Sequence, residues 1–385
     1  MPSSSKPWAC RTWCSKSSLR SHAANGCSRR FLTPCRRVRK SSASLPSTRG
    51  CMAEAIEFDE EQNLGSRGGL MAWLECLFIR VLLSSVTRLP DSFQRGFVRG
   101  AAALAALVDR RHGNAARAFM SQALGREVMA QDGEARVRQA YRHLFQISLD
   151  TEAFLRRVPK ENLLDHYELH TPPGFRELLE SGSGGLLITP HVGDWEAGAA
   201  AMEAIGMSPA YGVARPPKNR YLARHLLRNR ESKGITVMPR RGGLSQSGQA
   251  LAGGGWIGLL LDQRPSGKHV IAPFFGRPVP CERSAGVLIK RTGVPVVLAA
   301  CYRTERPFHF EFVVRRILQP DELEGLSVTS IVTLINAEME ALILRRPEQY
   351  FWLHDRFRHA PPLEVPEHGP ESSEAGGETF PQRRA

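Results

Sequence analysis

The chain has 385 residues, 42% of them hydrophobic, which is enough for a sizeable core and excludes a wholly disordered polypeptide. Its formal net charge is +14, but residues 1–50 hold eleven Lys or Arg and no Asp or Glu, leaving about +3 for the rest. The basic character is therefore local, and it does not mark the body of the chain as a nucleic-acid binder.

The first 50 residues are Ser-rich and lack apolar periodicity, so disorder is expected there. A transit-like or nucleic-acid-binding arm fits this stretch, and so does initiation further on, at Met52 or Met71. Five of the eight cysteines fall within the first 51 residues, with no metal-ligand spacing among them. Residues 52–66 are acidic and polar and read as a linker. Residues 1–66 thus form a basic extension and linker, 67–361 the folded body, and 362–385 a Pro-, Glu-, Gly- and Ser-rich disordered tail.

Residues 70–83 are apolar nearly all round, interrupted by Glu75 and Arg80. A spanning helix needs about 20 mostly apolar residues, and central charges are costly. Trp73, Phe78 and the following Arg88 suit a helix at a membrane interface, with a buried core helix as the alternative. Helical patterns continue over 97–108, 115–124 and 135–149, so the first part of the body is read as all helix. From Leu178 the pattern changes. Strand-like runs at 186–188, 210–214, 235–238, 256–261, 296–300 and 310–314 alternate with helical stretches at 195–205, 220–233 and 284–291. Alternation of this kind predicts an α/β fold, a mixed sheet flanked by helices. Cys76, Cys281 and Cys301 lie in apolar runs and read as reduced core thiols.

The most informative stretch is His191-Val192-Gly193-Asp194-Trp195-Glu196. It follows a buried strand that Pro190 stops. Gly193 permits a sharp turn, and Asp194 is a good N-cap for the Ala-rich run behind it. On one helix His191 and Glu196 would point to different faces, but on a strand–turn–helix they can meet. An imidazole whose second nitrogen is held by a carboxylate is a general base suited to neutral pH. On the motif alone, a loop-capping histidine competes evenly with that reading. His191, Asp194 and Glu196 also form a metal set on paper, although no His-x3-His or Cys-x2-Cys spacing supports it. Arg215 and Asn219 follow the second strand of the alternating region. Ligands in open α/β sheets bind beyond the carboxyl ends of strands, so His191 and Arg215 are expected to face one crevice. Arg220, Arg224 and Arg228 recur every fourth residue as a basic stripe, read first as a solvated face, with anionic lipid or an acidic carrier protein as the functional alternatives. Asp262 and Gln263 follow the strand at 256–261. Residues 272–277 read as a turn; two adjacent Phe, Phe274 and Phe275, more often fill a core, but Pro273 and Gly276 on either side argue for a loop whose aromatics line an apolar slot.

Taken in order, the His191–Glu196 motif, Arg215 with Asn219, Asp262-Gln263, Pro273-Phe274-Phe275-Gly276 and Trp352-Leu353-His354-Asp355-Arg356 resemble the motifs of the bacterial lipid A biosynthesis acyltransferases, the lauroyl/myristoyl branch of the lysophospholipid acyltransferase superfamily. The resemblance covers about residues 67–361. One departure is Asp194, where the family usually has Asn. The resemblance implies a glycerolipid acyltransferase-like α/β domain behind N-terminal membrane-associating helices, on the cytoplasmic face of a bacterial inner membrane. It implies an acyl thioester on acyl carrier protein or coenzyme A as donor, and a glycolipid hydroxyl, such as that of a lipid A precursor, as acceptor. Relatives acylate other glycolipids of the phosphatidylinositol mannoside type, which is the alternative acceptor. Carried over by position, His191 is the base and Glu196 its orienting partner. Arg215 and Asn219 contact substrate, Asp262 and Gln263 lie at the edge of the site, and Phe275 and Gly276 lie near the substrate. No metal or cofactor is expected, since a thioester needs only a deprotonated alcohol and a stabilised oxyanion. Two rival readings stand beside it: a metal-dependent lipid esterase on His191, Asp194 and Glu196, and a non-catalytic lipid-binding protein on the same fold, against which the intact His191 and Glu196 argue.

Overall fold

The computed structural model of the protein describes residues 65–213, 216–238 and 243–361. The basic extension before Gly65, the tail after Pro361 and Arg215 lie outside the described residues.

Four helices come first: α1 (Leu70–Val86), α2 (Asp91–Val108), α3 (Arg110–Leu124) and α4 (Arg126–Arg157). Their breaks follow local chemistry. Pro90 precedes α2, the Asp109 side chain caps α3 by accepting from the His112 N–H, and Gly125 adopts φ +96 between α3 and α4. The all-helical reading of this part holds. Each helix after the first begins earlier than its apolar pattern, because the opening turns are polar and carry no periodicity. The alternative of a buried α1 does not hold. Only Ala72, Cys76 and Val86 of α1 are buried, whereas Leu70, Met71 and Phe78 are 70%, 76% and 67% exposed. Among the described residues no helix is long and apolar enough to cross a membrane.

The rest runs β1 (Tyr167–His170), α5 (Phe175–Glu180), β2 (Gly185–Thr189), α6 (Trp195–Ala204), β3 (Ala210–Val213), α7 (Arg220–Glu231), β4 (Ile235–Met238), α8 (Gly243–Ala252), β5 (Trp256–Leu260), β6 (His269–Phe274), β7 (Arg277–Glu282), α9 (Ser284–Thr292), β8 (Val296–Arg303), β9 (Phe310–Leu318), α10 (Pro320–Leu323) and α11 (Val328–Arg345). Seven strands form one mixed sheet in the order β1-β9-β8-β2-β5-β3-β4, and β6 pairs with β7 as a separate hairpin. From β8 through β4 neighbouring strands are parallel, while β9 is antiparallel to β8. The expected α/β class and all six strands read from sequence are present.

Strand β2 lies at the centre, and its side chains alternate between two cores. Leu186 and Ile188 join the larger core with Phe119, Leu288 and Met339. Leu187 faces the second core, with Ala197, Ala200 and Ala201 of α6. Truncating Ile188, which has no exposed surface, to Ala would cost about 2–5 kcal/mol. Gly185 has to be small, because a Cβ there would stand 2.8 Å from the Pro295 carbonyl oxygen and 3.0 Å from the Trp256 ring. This packing fixes the carboxyl end of β2, from which the His191 loop leaves.

The 272–277 segment differs from the expected slot-lining loop. It is the turn of the β6–β7 hairpin, with Phe275 at φ 50 and Gly276 at φ 69, two positive φ values that match the twist of a tight two-residue hairpin. Both aromatics are buried. Phe274 and Phe275 both pack on Phe119, Phe275 edge-on, and Phe275 also meets the Trp352 ring.

Candidate active site

The loop between β2 and α6 is tied down on several sides. The Gly193 N–H donates to the Gln349 carbonyl at 2.8 Å, the Asp194 N–H to the Cys301 carbonyl at 2.7 Å, and the Phe351 N–H to the His191 carbonyl at 3.0 Å. Gly193, at φ +66, is the one position here that needs glycine, because a Cβ would lie 1.9 Å from the Cys301 oxygen. Asp194 caps α6 as its residue type predicts, accepting from the Ala197 N–H at 2.9 Å.

Asp262 lies directly beyond β5, the neighbour of β2, and holds His191 twice. Its Oδ1 is 2.7 Å from the ring Nδ1, and its Oδ2 accepts from the His191 backbone N–H at 3.0 Å. The Tyr350 hydroxyl also donates to this carboxylate. Asp262 is 1% exposed. Burial pushes its carboxyl up, but the His191 charge, the two His191 hydrogen bonds and the Tyr350 hydroxyl outweigh that and hold it below the usual carboxylate range. An ionised carboxylate only accepts, so the neutral ring carries its proton on Nδ1, and Nε2 keeps a lone pair. Trp195 packs edge-on to the imidazole at 5.1 Å.

The partner of the ring is therefore Asp262 rather than Glu196. Arg230 on α7 takes both oxygens of Glu196, through Nε at 2.9 Å and Nη2 at 2.6 Å. The physical reason is that Arg230, in the last turn of α7, brings a mostly buried guanidinium to the first turn of α6, where its planar fork matches a carboxylate. His191, Glu196, Arg230, Gln263 and Arg264 all line one cavity of about 560 Å³ with mainly apolar walls, among them Leu187, Met202 and Phe312. The site thus offers an oriented imidazole, an ion pair in the wall and an apolar slot continuing from them.

Two further residues brace it. His354 accepts the Arg264 N–H on Nε2 at 2.9 Å and so holds the loop after β5. Burial, helped by the Arg356, Arg264 and His191 charges and opposed by Asp262, pushes its pKa down to about 4, which keeps it neutral and able to accept. Arg356 is fully buried, donates to the Pro280 carbonyl at 2.8 Å, and lies 5.1 Å over the Phe274 ring.

The sequence profile described as bacterial lipid A biosynthesis acyltransferase matches residues 66–359. The chain belongs to this family. It is an acyltransferase, and comparison with curated protein sequences finds no match.

Within this acyltransferase the structure unites some of the residues singled out by sequence and separates others. His191, Glu196 and Gln263 line one cavity, and Asp262 stands behind His191. Asn219 does not face it. Its Oδ1 accepts from the Tyr221 and Leu222 N–H groups at 3.0 and 3.2 Å, capping α7, and its Nδ2 donates to the Ala72 carbonyl at 2.7 Å. Asn219 is 4% exposed, so its amide is spent on joining α1 to α7 rather than on substrate. Phe275 and Gly276 form the hairpin turn away from the cavity lining. The three residues of the metal rival diverge. The Asp194 carboxylate is buried against the Ala197 N–H, Glu196 is held by Arg230, and among the described residues no group of three or more His, Cys, Asp or Glu side chains is arranged to hold a metal ion. Tyr350 and Arg230 were not legible as site residues, because their partners lie 88 and 34 positions away in the chain.

Proposed function

We propose that the chain transfers a fatty-acyl group from a thioester, carried by acyl carrier protein or coenzyme A, to a hydroxyl of a glycolipid such as a lipid A precursor. The observation that carries this reading is His191, tied at Nδ1 to a buried carboxylate and lining the cavity. In the proposed step Nε2 removes the acceptor hydroxyl proton as its oxygen attacks the thioester carbonyl. Asp262 stabilises the imidazolium that forms. Collapse of the tetrahedral intermediate breaks the C–S bond, and the proton on Nε2 passes to the leaving thiolate. The chemistry calls for no metal and no covalent enzyme intermediate. Glu196 acts by fixing Arg230 in the wall of the cavity, where the guanidinium meets a polar group of a substrate. Arg215, which follows β3, is proposed from sequence position alone as a second cation for substrate or oxyanion.

The apolar side chains exposed on α1 and α2, including Phe78, Phe93, Leu104 and Leu107, support attachment to a membrane surface, proposed as the cytoplasmic face of the inner membrane. The test is transfer of a labelled acyl group from carrier protein or coenzyme A to a lipid A precursor. Product formed by the wild type and lost in His191→Ala supports the reading. Labelled free fatty acid as the main product in the presence of acceptor would contradict it.

A further inference from the structure

Away from the catalytic cavity, α1 and α7 enclose a groove of about 460 Å³. Its walls carry Arg80 from α1 and Arg224 and Arg228 from α7, with Trp73, Tyr221 and His225 beside them. Arg224 and Arg228 stand four residues apart, so one face of α7 presents both. No carboxylate lines the groove. Of the acids on the neighbouring elements, Glu152 accepts from His225 Nε2 at 3.0 Å, Glu75 pairs with Arg67 at 2.5 Å, and Glu231 of α7 is engaged as well. The charge of Arg80 also bears on Glu152, but Arg224 and Arg228 make no ion pair or side-chain hydrogen bond among the described residues. Cations gathered in a groove whose own walls carry no carboxylate make a site for an anion.

The surroundings select the source of that anion. On the same helix Leu74, Phe78 and Val81 are 43%, 67% and 55% exposed. Trp and Tyr side chains favour the headgroup level of a bilayer, and arginines beside an apolar face favour anionic lipid. We propose that the groove between α1 and α7 holds the anionic phosphate of a membrane phospholipid headgroup on Arg80, Arg224 and Arg228. The site seats the enzyme on the bilayer at a place separate from the acyl-transfer cavity. It rests on the membrane-facing reading of α1 and not on the assignment of the reaction.

The test uses the full chain and sedimentation with vesicles of phosphatidylcholine alone or mixed with phosphatidylglycerol. The double variant Arg224→Gln/Arg228→Gln is compared with Arg176→Gln/Arg291→Gln, two exposed arginines outside the groove. Each groove arginine is worth about five-fold in binding to the anionic vesicles, so the groove variant loses about 25-fold there. It binds phosphatidylcholine vesicles as the wild type does, and the control pair changes little. Arg224→Lys/Arg228→Lys, which keeps the charge, retains most of the preference and guards against misfolding. Inorganic phosphate weakens wild-type binding to the anionic vesicles more than sodium chloride of equal ionic strength does. A groove variant that keeps the anionic preference overturns the proposal. So does an unchanged preference accompanied by lost binding of acyl carrier protein, which would make the groove a protein-docking site. Wild-type protein that binds neither vesicle overturns the membrane reading together with the proposal.

Discussion

The carboxylate beyond β5 and the carboxylate at the start of α6 are bound in different ways. Asp262 takes one ring and one backbone N–H from His191 and a hydroxyl from Tyr350, and it is almost wholly buried. Glu196 takes two hydrogen bonds from one guanidinium and lines the open cavity. The first arrangement fixes a ring and its tautomer. The second fixes a cation in a wall. Sequence spacing pairs His191 with the nearer carboxylate, whereas parallel strand neighbours pair it with the one 71 residues away.

Substitutions grade this contrast. His191→Ala removes the proposed base, and acyl transfer is expected to fall by about 10³-fold or more in kcat while the protein stays folded. Asp262→Asn comes next, with a loss of about 10²–10³-fold, because the amide cannot stabilise an imidazolium and can impose the wrong tautomer. Glu196→Gln loses about ten-fold in kcat. Its clearer effect is on stability, about 1–3 kcal/mol in denaturant unfolding, because Arg230 keeps its hydrogen-bond acceptor but loses its counter-charge. If Glu196→Gln proves the more damaging of the two to kcat, the contrast fails. Tyr350→Phe leaves Asp262 with both His191 hydrogen bonds, so turnover stays within about ten-fold while stability falls by about 1.5–3 kcal/mol.

Asp194→Asn sharpens the comparison from a third carboxyl group, one that acts only on the fold. Burial, reinforced by the Asp150 and Glu196 charges and opposed by the Ala197 N–H and Arg303, raises the Asp194 pKa to about 7. Its unfolded value is near 3.8, so between pH 4 and 7 the native state binds the extra proton and stability falls as pH rises. Asn removes that penalty. Thermal unfolding at pH 8 should show a stabilised variant, by roughly 4 kcal/mol at most, with little difference near pH 4 and turnover within a few-fold of wild type.

Much of the architecture is legible because it is periodic. The apolar runs at β2, β5 and β8 are short, continuous and bounded by Gly or Pro, which marks buried parallel strands. The cap at Asp194 and the helix behind it are equally local. Helix α11 carries a periodic signal too, since its buried residues Ile331, Ile335, Met339 and Leu342 recur every three or four positions. The hairpin turn at Phe275 escapes because a non-glycine residue at positive φ carries no sequence signal. At the site, the residue types at 191, 196 and 262 are legible, but their pairing is not, since strand order decides it. Asn219 shows the converse, a polar residue in a suggestive position whose hydrogen bonds are all spent on helix packing.

The central claim is that Asp262, and not Glu196, holds the His191 ring. The His191 Nδ1 proton, followed by NMR in histidine-labelled enzyme, reports this directly. The account predicts a downfield resonance that persists in Glu196→Gln and is lost in Asp262→Asn. A resonance that survives Asp262→Asn and disappears in Glu196→Gln would contradict it.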